Sequence, residues 1–260
     1  TTATLAYAED NRLEGADAIG ASYSVVEGGY ALQGQKHYVL DGHTAKLIVV
    51  AARTEPSKGA EGVSLFLVPD DTPGLRRTWT PTMDQTRRLA RIDLDGVTLP
   101  RDALLGEEGS GWKLCERTLD LARIGLAAEQ VGAAEMCLDM AVEYAKVRKQ
   151  FGRPIGSFQA IKHKCADMLT MIESARSAAF YGSALAAQGE TDLGEAASSA
   201  KAFCSDTFFH CAAENIQIHG GIGFTWEHPA HMYFKRAKSV EVLLGDPSYH
   251  RERVAQRMGL

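Results

Sequence analysis

The sequence predicts an α+β fold, a β-barrel-like or sandwich-like domain followed by an up-and-down helical bundle. Three observations predict it. Hydrophobic residues recur at period two before residue 108 and at spacings of three and four after it. Pro100, Gly106, Gly109 and Gly111 crowd the changeover, in "LPRDALLGEEGSGWK". Beyond it the apolar pattern persists over segments far longer than a strand. With 260 residues, 45% of them hydrophobic, the chain can bury a large core and is read as two domains, 1–108 and 109–260.

Taken in order, "ASYSVVEGGYALQGQKHYVLDG" alternates apolar and polar residues around Gly28-Gly29 and predicts a hairpin. "KLIVVAAR" and "VSLFLVP" are short apolar runs bounded by turn residues, as buried strands are. From Trp112 a long Ala/Leu-rich helix is expected, with Gly152 as its stop, and "SFQAIKHKCADMLTMIESARSAAFYGSALAAQG" predicts a second that ends at Gly189. A third is expected over about 191–216, then the turn "HGGIGFTWEHP" and two shorter helices around Gly245. In "VEVLLGDPSYHRERV", Asp246 before Pro247 reads as a helix N-cap, because a carboxylate oxygen can accept an orphan amide and Pro needs no partner at the first helical position.

Composition narrows the function. The net charge of −5 comes with scattered Lys and Arg, so neither nucleic acid nor an anionic membrane is an expected partner. No apolar run approaches a membrane span and "TTATLAYAEDNRLEG" is unlike a signal peptide, so the expectation is a soluble, cytoplasmic protein. Cys115, Cys137, Cys165, Cys204 and Cys211 form no CxxC pair and are expected to be reduced core residues. His228 and His231 lack further ligands, so no metal is expected and both are assigned to capping or a solvated surface.

Three stretches carry more than pattern: "YAKVRKQFGRPIGSFQAIKHKCADM", with Arg148, Phe151 and Gln159, and "IQIHGGIGFTWEHP", with Gln217, Gly220 and Gly221, follow the β segment "GYALQGQKHYVLDGHTAKLIVVAAR". On these the chain resembles the acyl-CoA dehydrogenase family of flavoproteins, whose C-terminal half carries R-x-x-F-G…Q and Q-x-x-G-G-x-G elements. "LAYAE" and "MDQTRRLARIDLDGVTLPRDALLG" resemble the opening and closing strands of the family's middle domain. The resemblance implies that the sequence begins within the second of three domains, the N-terminal helical one being absent. It also implies FAD, an acyl-CoA substrate, a homologous partner subunit in a tetramer, and electron-transfer flavoprotein as acceptor.

The chemistry of the residues agrees with the FAD roles. The forked guanidinium of Arg148 suits a pyrophosphate, Phe151 offers a ring edge, and Gln159 and Gln217 can both donate and accept. Gly220 and Gly221 let backbone amides approach phosphate oxygens. The residues of the reaction itself are missing. The family's base, a Glu before Gly-Thr, corresponds to Leu244 before Gly245-Asp246, and the alternative base position to Ala122 before Arg123, a residue the resemblance offers to substrate. Asp120 is expected on the opposite side of its helix from Ala122, as a solvated or capping acid. Glu241, one turn before Leu244, and Asp246 are the remaining candidate acids. Ala8 before Glu9, and Tyr38-Val39-Leu40 in place of Trp-x-Thr, remove two hydroxyls that the family directs at the flavin ring. A partner subunit of a heteromeric dehydrogenase is therefore the leading expectation, similar to actinobacterial two-chain enzymes acting on steroid side-chain thioesters. A homomeric dehydrogenase with a displaced base, a flavin oxidase or monooxygenase, and a non-enzymatic scaffold are the alternatives.

Overall fold

The structure, a computed structural model, describes residues 1–9, 15–189 and 193–260. They form two compact units, Thr1–Thr118 and Leu119–Leu260. The first is an open, mixed sheet of eight strands: β1 (Ala3–Ala6), β2 (Ser22–Val26), β3 (Gly29–Leu40), β4 (Leu47–Arg53), β5 (Val63–Pro69), β6 (Leu75–Thr80), β7 (Leu89–Pro100) and β8 (Leu104–Leu105). Its pairing path runs β6-β7-β3-β2-β4-β5-β8, with β1 parallel to β4, and ends at β6 and β8 instead of closing into a barrel.

The expected hairpin is β2–β3, in register from Val26↔Gly29 to Ser22↔Gln33. Gly29 has to be glycine: a Cβ there would stand 1.8 Å from the Leu99 carbonyl oxygen on β7. β4 is nearly continuous in burial because it is paired on both edges, to β1 and β5, which explains its unalternated run of Val and Ala. Tyr23, Leu32, Ile48, Val50, Phe66, Ile92 and Leu94 pack into one core on this sheet.

The second unit holds most of α1 (Gly111–Val147), α2 (Gln159–Gln188), α3 (Gly194–His219), α4 (Ala230–Val242) and α5 (Pro247–Arg257). α3 is central: most of its residues are buried, and it packs against α2, α4 and α5. α2 stops where expected, at Gly189, whose left-handed backbone turns its N–H onto the carbonyls of Leu185 and Ala186. The expected start of α3 near 191 lies outside the described residues, and its end extends past 216 to His219.

α1 does not run to Gly152. It ends at Val147, and the next residues form a tight hairpin of β9 (Lys149–Gln150) and β10 (Arg153–Pro154). Phe151 and Gly152, both at positive φ (55° and 78°), are its two turn residues, as in a type I′ turn. The Ile155 N–H returns to the Arg148 carbonyl at 2.8 Å and closes the loop. No helix among the described residues is long and apolar enough to cross a membrane.

Candidate functional site

One end of the helical unit gathers the residues singled out for the cofactor. Arg148, just past the end of α1, is exposed and makes no side-chain hydrogen bond or ion pair among the described residues. Phe151 projects from the hairpin tip with 91% of its surface exposed, its ring edge-on to that of Phe158 at 6.1 Å. A bulky aromatic in a left-handed turn is a costly choice that packing does not repay, the pattern of a residue kept for contact with another molecule. Gln159 opens α2, whose N-terminus has no side-chain cap; the Ile161 and Lys162 amides turn onto the Phe158 carbonyl, which leaves those of Gln159 and Ala160 for an anion.

The second element lies beside the first. Tyr144, one turn before Arg148, stacks on His219 at 4.3 Å, and His219 in turn lies 4.1 Å from His228. The pair Lys164–Glu214 ties the start of α2 to the end of α3. Gln217 is exposed on that end, and a Cβ at Gly220 (φ 64°) or Gly221 would meet nothing within 4 Å. The result is an exposed surface with one unpaired guanidinium, two amide side chains, free helix-end amides and glycine backbone open to close approach. These fit the ADP end of a dinucleotide. His228 caps α4, its Nδ1 accepting the Ala230 N–H at 3.2 Å, as the sequence suggested.

The elbow between α4 and α5 is built differently. The helix ends at Val242, Leu243 is extended, and Leu244 takes a left-handed φ of 63°. Glu241 and Leu244 therefore do not share a helix face, contrary to the expectation from helical geometry, because the helix stops between them. Glu241 bonds to Lys238 Nζ at 3.0 and 3.1 Å. Asp246 caps α5, accepting the Tyr249 N–H at 2.8 Å with Pro247 behind it.

Donors hold the elbow by its carbonyls. Arg123 Nε (3.1 Å) and His250 Nε2 (2.9 Å) both donate to the Leu244 oxygen. A carbonyl can only accept, so His250 carries its proton on Nε2, leaving buried Nδ1 without a partner. Lys201 places its three N–H bonds on Ser205 Oγ (2.9 Å), the Glu241 oxygen (3.0 Å) and the Gly245 oxygen (3.0 Å). Burial, then repulsion by Arg123, lowers the Lys201 pKa to about 8. Burial, then Arg123 and Lys201, lowers that of His250 to about 3.

Asp120 is not a solvated acid. It is 4% exposed, and Arg253 reaches it from α5 with Nη1 at 2.7 Å and Nη2 at 3.2 Å, while Arg123 Nη1 bonds it at 2.8 Å. Burial pushes its carboxyl up, but the Arg253 hydrogen bond and both guanidinium charges outweigh this and hold it below the usual range. Arg253 is 133 residues away along the chain, which no local helical reading could anticipate. Arg123 thus spends its guanidinium on Asp120 and Leu244. Lys201, His250 and Arg253 were missed by the sequence reading. The available signal was Lys201 among small residues in "SSAKAF", where a charge has no solvated face to occupy.

In the first unit, Glu9 Oε1 accepts from Gly20 N and Ala21 N, both at 2.9 Å, and from buried Lys36 Nζ at 2.5 Å. Burial lowers the Lys36 pKa against the opposing pull of Glu9. Tyr38 is half exposed at φ 57°, and the Leu40 oxygen accepts from Thr4 Oγ1 at 2.6 Å. Four cysteines are buried and Cys165 is half-buried, and none of the five is in a disulfide.

Comparison with known proteins identifies the family. The acyl-CoA dehydrogenase middle-domain model matches residues 4–97, and the acyl-CoA dehydrogenase C-terminal-domain model residues 109–259. A short-chain-specific acyl-CoA dehydrogenase of Megasphaera elsdenii is 37% identical over 84% of this chain and 57% of its own length. Acyl-CoA dehydrogenase IpdE2 of Mycobacterium tuberculosis is 42% identical over 75% of this chain and 62% of its own. The structure of butyryl-CoA dehydrogenase from Megasphaera elsdenii superposes with a TM-score of 0.95 at 32% identity, covering 99% of this chain and 68% of that one. The chain spans about three fifths of the curated relatives it matches. Two domain models in sequence over a shared fold leave one assignment: the chain belongs to the acyl-CoA dehydrogenase family.

Proposed function

We propose that this chain is a partner subunit in an FAD-linked acyl-CoA dehydrogenase, lending contacts to the ADP end of a flavin seated mainly in a homologous, base-bearing subunit. The observation that carries the reading is the contrast between its two sites. Arg148, Phe151, Gln159, Gln217, Gly220 and Gly221 are all exposed, and the Arg148 side chain has no hydrogen bond or ion pair among the described residues, whereas the base position holds Leu244, which cannot accept a proton. FAD, when bound, supplies the hydride acceptor; this chain's part is to hold its pyrophosphate and adenine. Arg123 would act by fixing the Leu244 carbonyl and not on substrate.

The homomeric alternative would need Glu241 or Asp246 as base, and each is already engaged, with Lys238 and with the Tyr249 amide. No observation favours an oxidase, a monooxygenase or a bare scaffold. The same reading places the protein in the cytoplasm, as a tetramer that passes electrons to electron-transfer flavoprotein. Its test is purification of the chain alone and together with a Glu-bearing homologue. Flavin absorbance and acyl-CoA oxidation are expected only in the pair, and stoichiometric FAD with turnover in the chain alone would refute the proposal.

A further inference from the structure

Behind the hairpin, the last turns of α1 and the first of α2 border an open cavity of about 460 Å³, lined mainly by Val142, Ala145, Pro154, Ile161 and Cys165, with Lys146 and Lys162 also in its lining. The volume falls within the range of small-molecule sites. Its walls are built, not loose. A Cβ at Gly156 would stand 3.0 Å from the Ala145 carbonyl oxygen, so the loop already presses on α1 as closely as glycine allows. Val142 and Ala145 share a face of α1, as Ile161 and Cys165 share one of α2, so the apolar lining follows from helical spacing.

The two cations differ. Lys146 Nζ is bonded to Glu143 at 2.5 Å. Lys162 has no side-chain hydrogen bond or ion pair among the described residues, so a cationic side chain without a counter-charge lines a mainly apolar space. We propose that this cavity binds an amphipathic carboxylate, its aliphatic body against Val142, Pro154 and Ile161 and its carboxylate on Lys162. The charge complementarity selects an anion, and the lining selects an apolar body over a small inorganic ion. This inference stands on the cavity alone and does not depend on the subunit reading.

Cys165 is a built-in reporter, because it is the half-buried thiol while the other four are buried. The experiment titrates the purified chain, with any co-purifying partner retained, with decanoate, decanol and acetate. It follows calorimetry and the rate at which a neutral methanethiosulfonate labels Cys165. Decanoate is expected to bind saturably and slow labelling, with decanol and acetate at least about tenfold weaker, and Lys162→Ala to weaken decanoate by about tenfold, the worth of a charge-assisted hydrogen bond. Val142→Trp, which fills the space, is expected to abolish binding with its unfolding midpoint kept. Decanol protecting as well as decanoate, or unchanged decanoate affinity in Lys162→Ala, would overturn the proposal. So would Cys165 already protected in a complex before ligand is added, which would assign the cavity to a protein partner.

Discussion

At the scale of single residues, Asp120 is the one buried carboxylate in the network that braces the elbow, facing Arg123 and Arg253, with Lys201 nearby on the same elbow. Removing it strands two guanidinium groups away from water, so Asp120→Ala is expected to cost about 3–5 kcal/mol, read from chemical denaturation. His250 makes a pH prediction whose sign follows from its lowered pKa. The unfolded chain takes up a proton near pH 6.5, while the folded one refuses it until about pH 3. Stability should therefore fall as pH drops through that window. His250→Gln is expected to flatten this limb in melting temperature against pH. Lys201 gives the opposite limb: from about pH 8 to its ordinary 10.5 the unfolded state binds the extra proton, so the stability it costs is regained as pH rises, and Lys201→Met should remove that slope.

At the scale of elements, the hairpin Lys149–Pro154 sets stability against contact. Phe151 holds a left-handed backbone that Asn adopts more easily, so Phe151→Asn is expected to raise stability by about 0.5–1 kcal/mol while weakening flavin retention in the assembled enzyme. A rise in melting temperature with flavin retention unchanged would show the ring to be dispensable. The hairpin also marks the limit of what the sequence discloses. Strands β2 to β5, the ends of α2 and the cap at Asp246 were legible because period, glycine and capping chemistry are local. The early end of α1 was not, because "VRKQFG" is compatible with a helix until the return of Ile155 to Arg148 is known. Asp120 was misread for the same reason: its partner comes from α5, through packing that no window of sequence contains. The outward residues proposed for the cofactor were singled out from motif order, whereas the inward clamp on Leu244 had no motif to announce it.

At the scale of the whole molecule, the question is whether the elbow at Leu244 faces a flavin of its own. Its backbone is held as firmly as a reacting group would need, by Arg123, His250 and Lys201, although its side chain has no chemistry. If the chain serves only the ADP end of its partner's FAD, Leu244→Glu should leave acyl-CoA oxidation by the assembled pair unchanged. Arg148→Ala should weaken FAD retention by about tenfold to a hundredfold, the loss of a guanidinium–phosphate contact. If instead the elbow lines a second flavin site, Leu244→Glu should raise turnover per assembly, with flavin content near one per chain instead of one per pair. Turnover and flavin stoichiometry measured together on the two variants separate these architectures, because Arg148 and Leu244 would then act on different flavins. The expected result is one flavin per pair, lost with Arg148 and indifferent to Leu244.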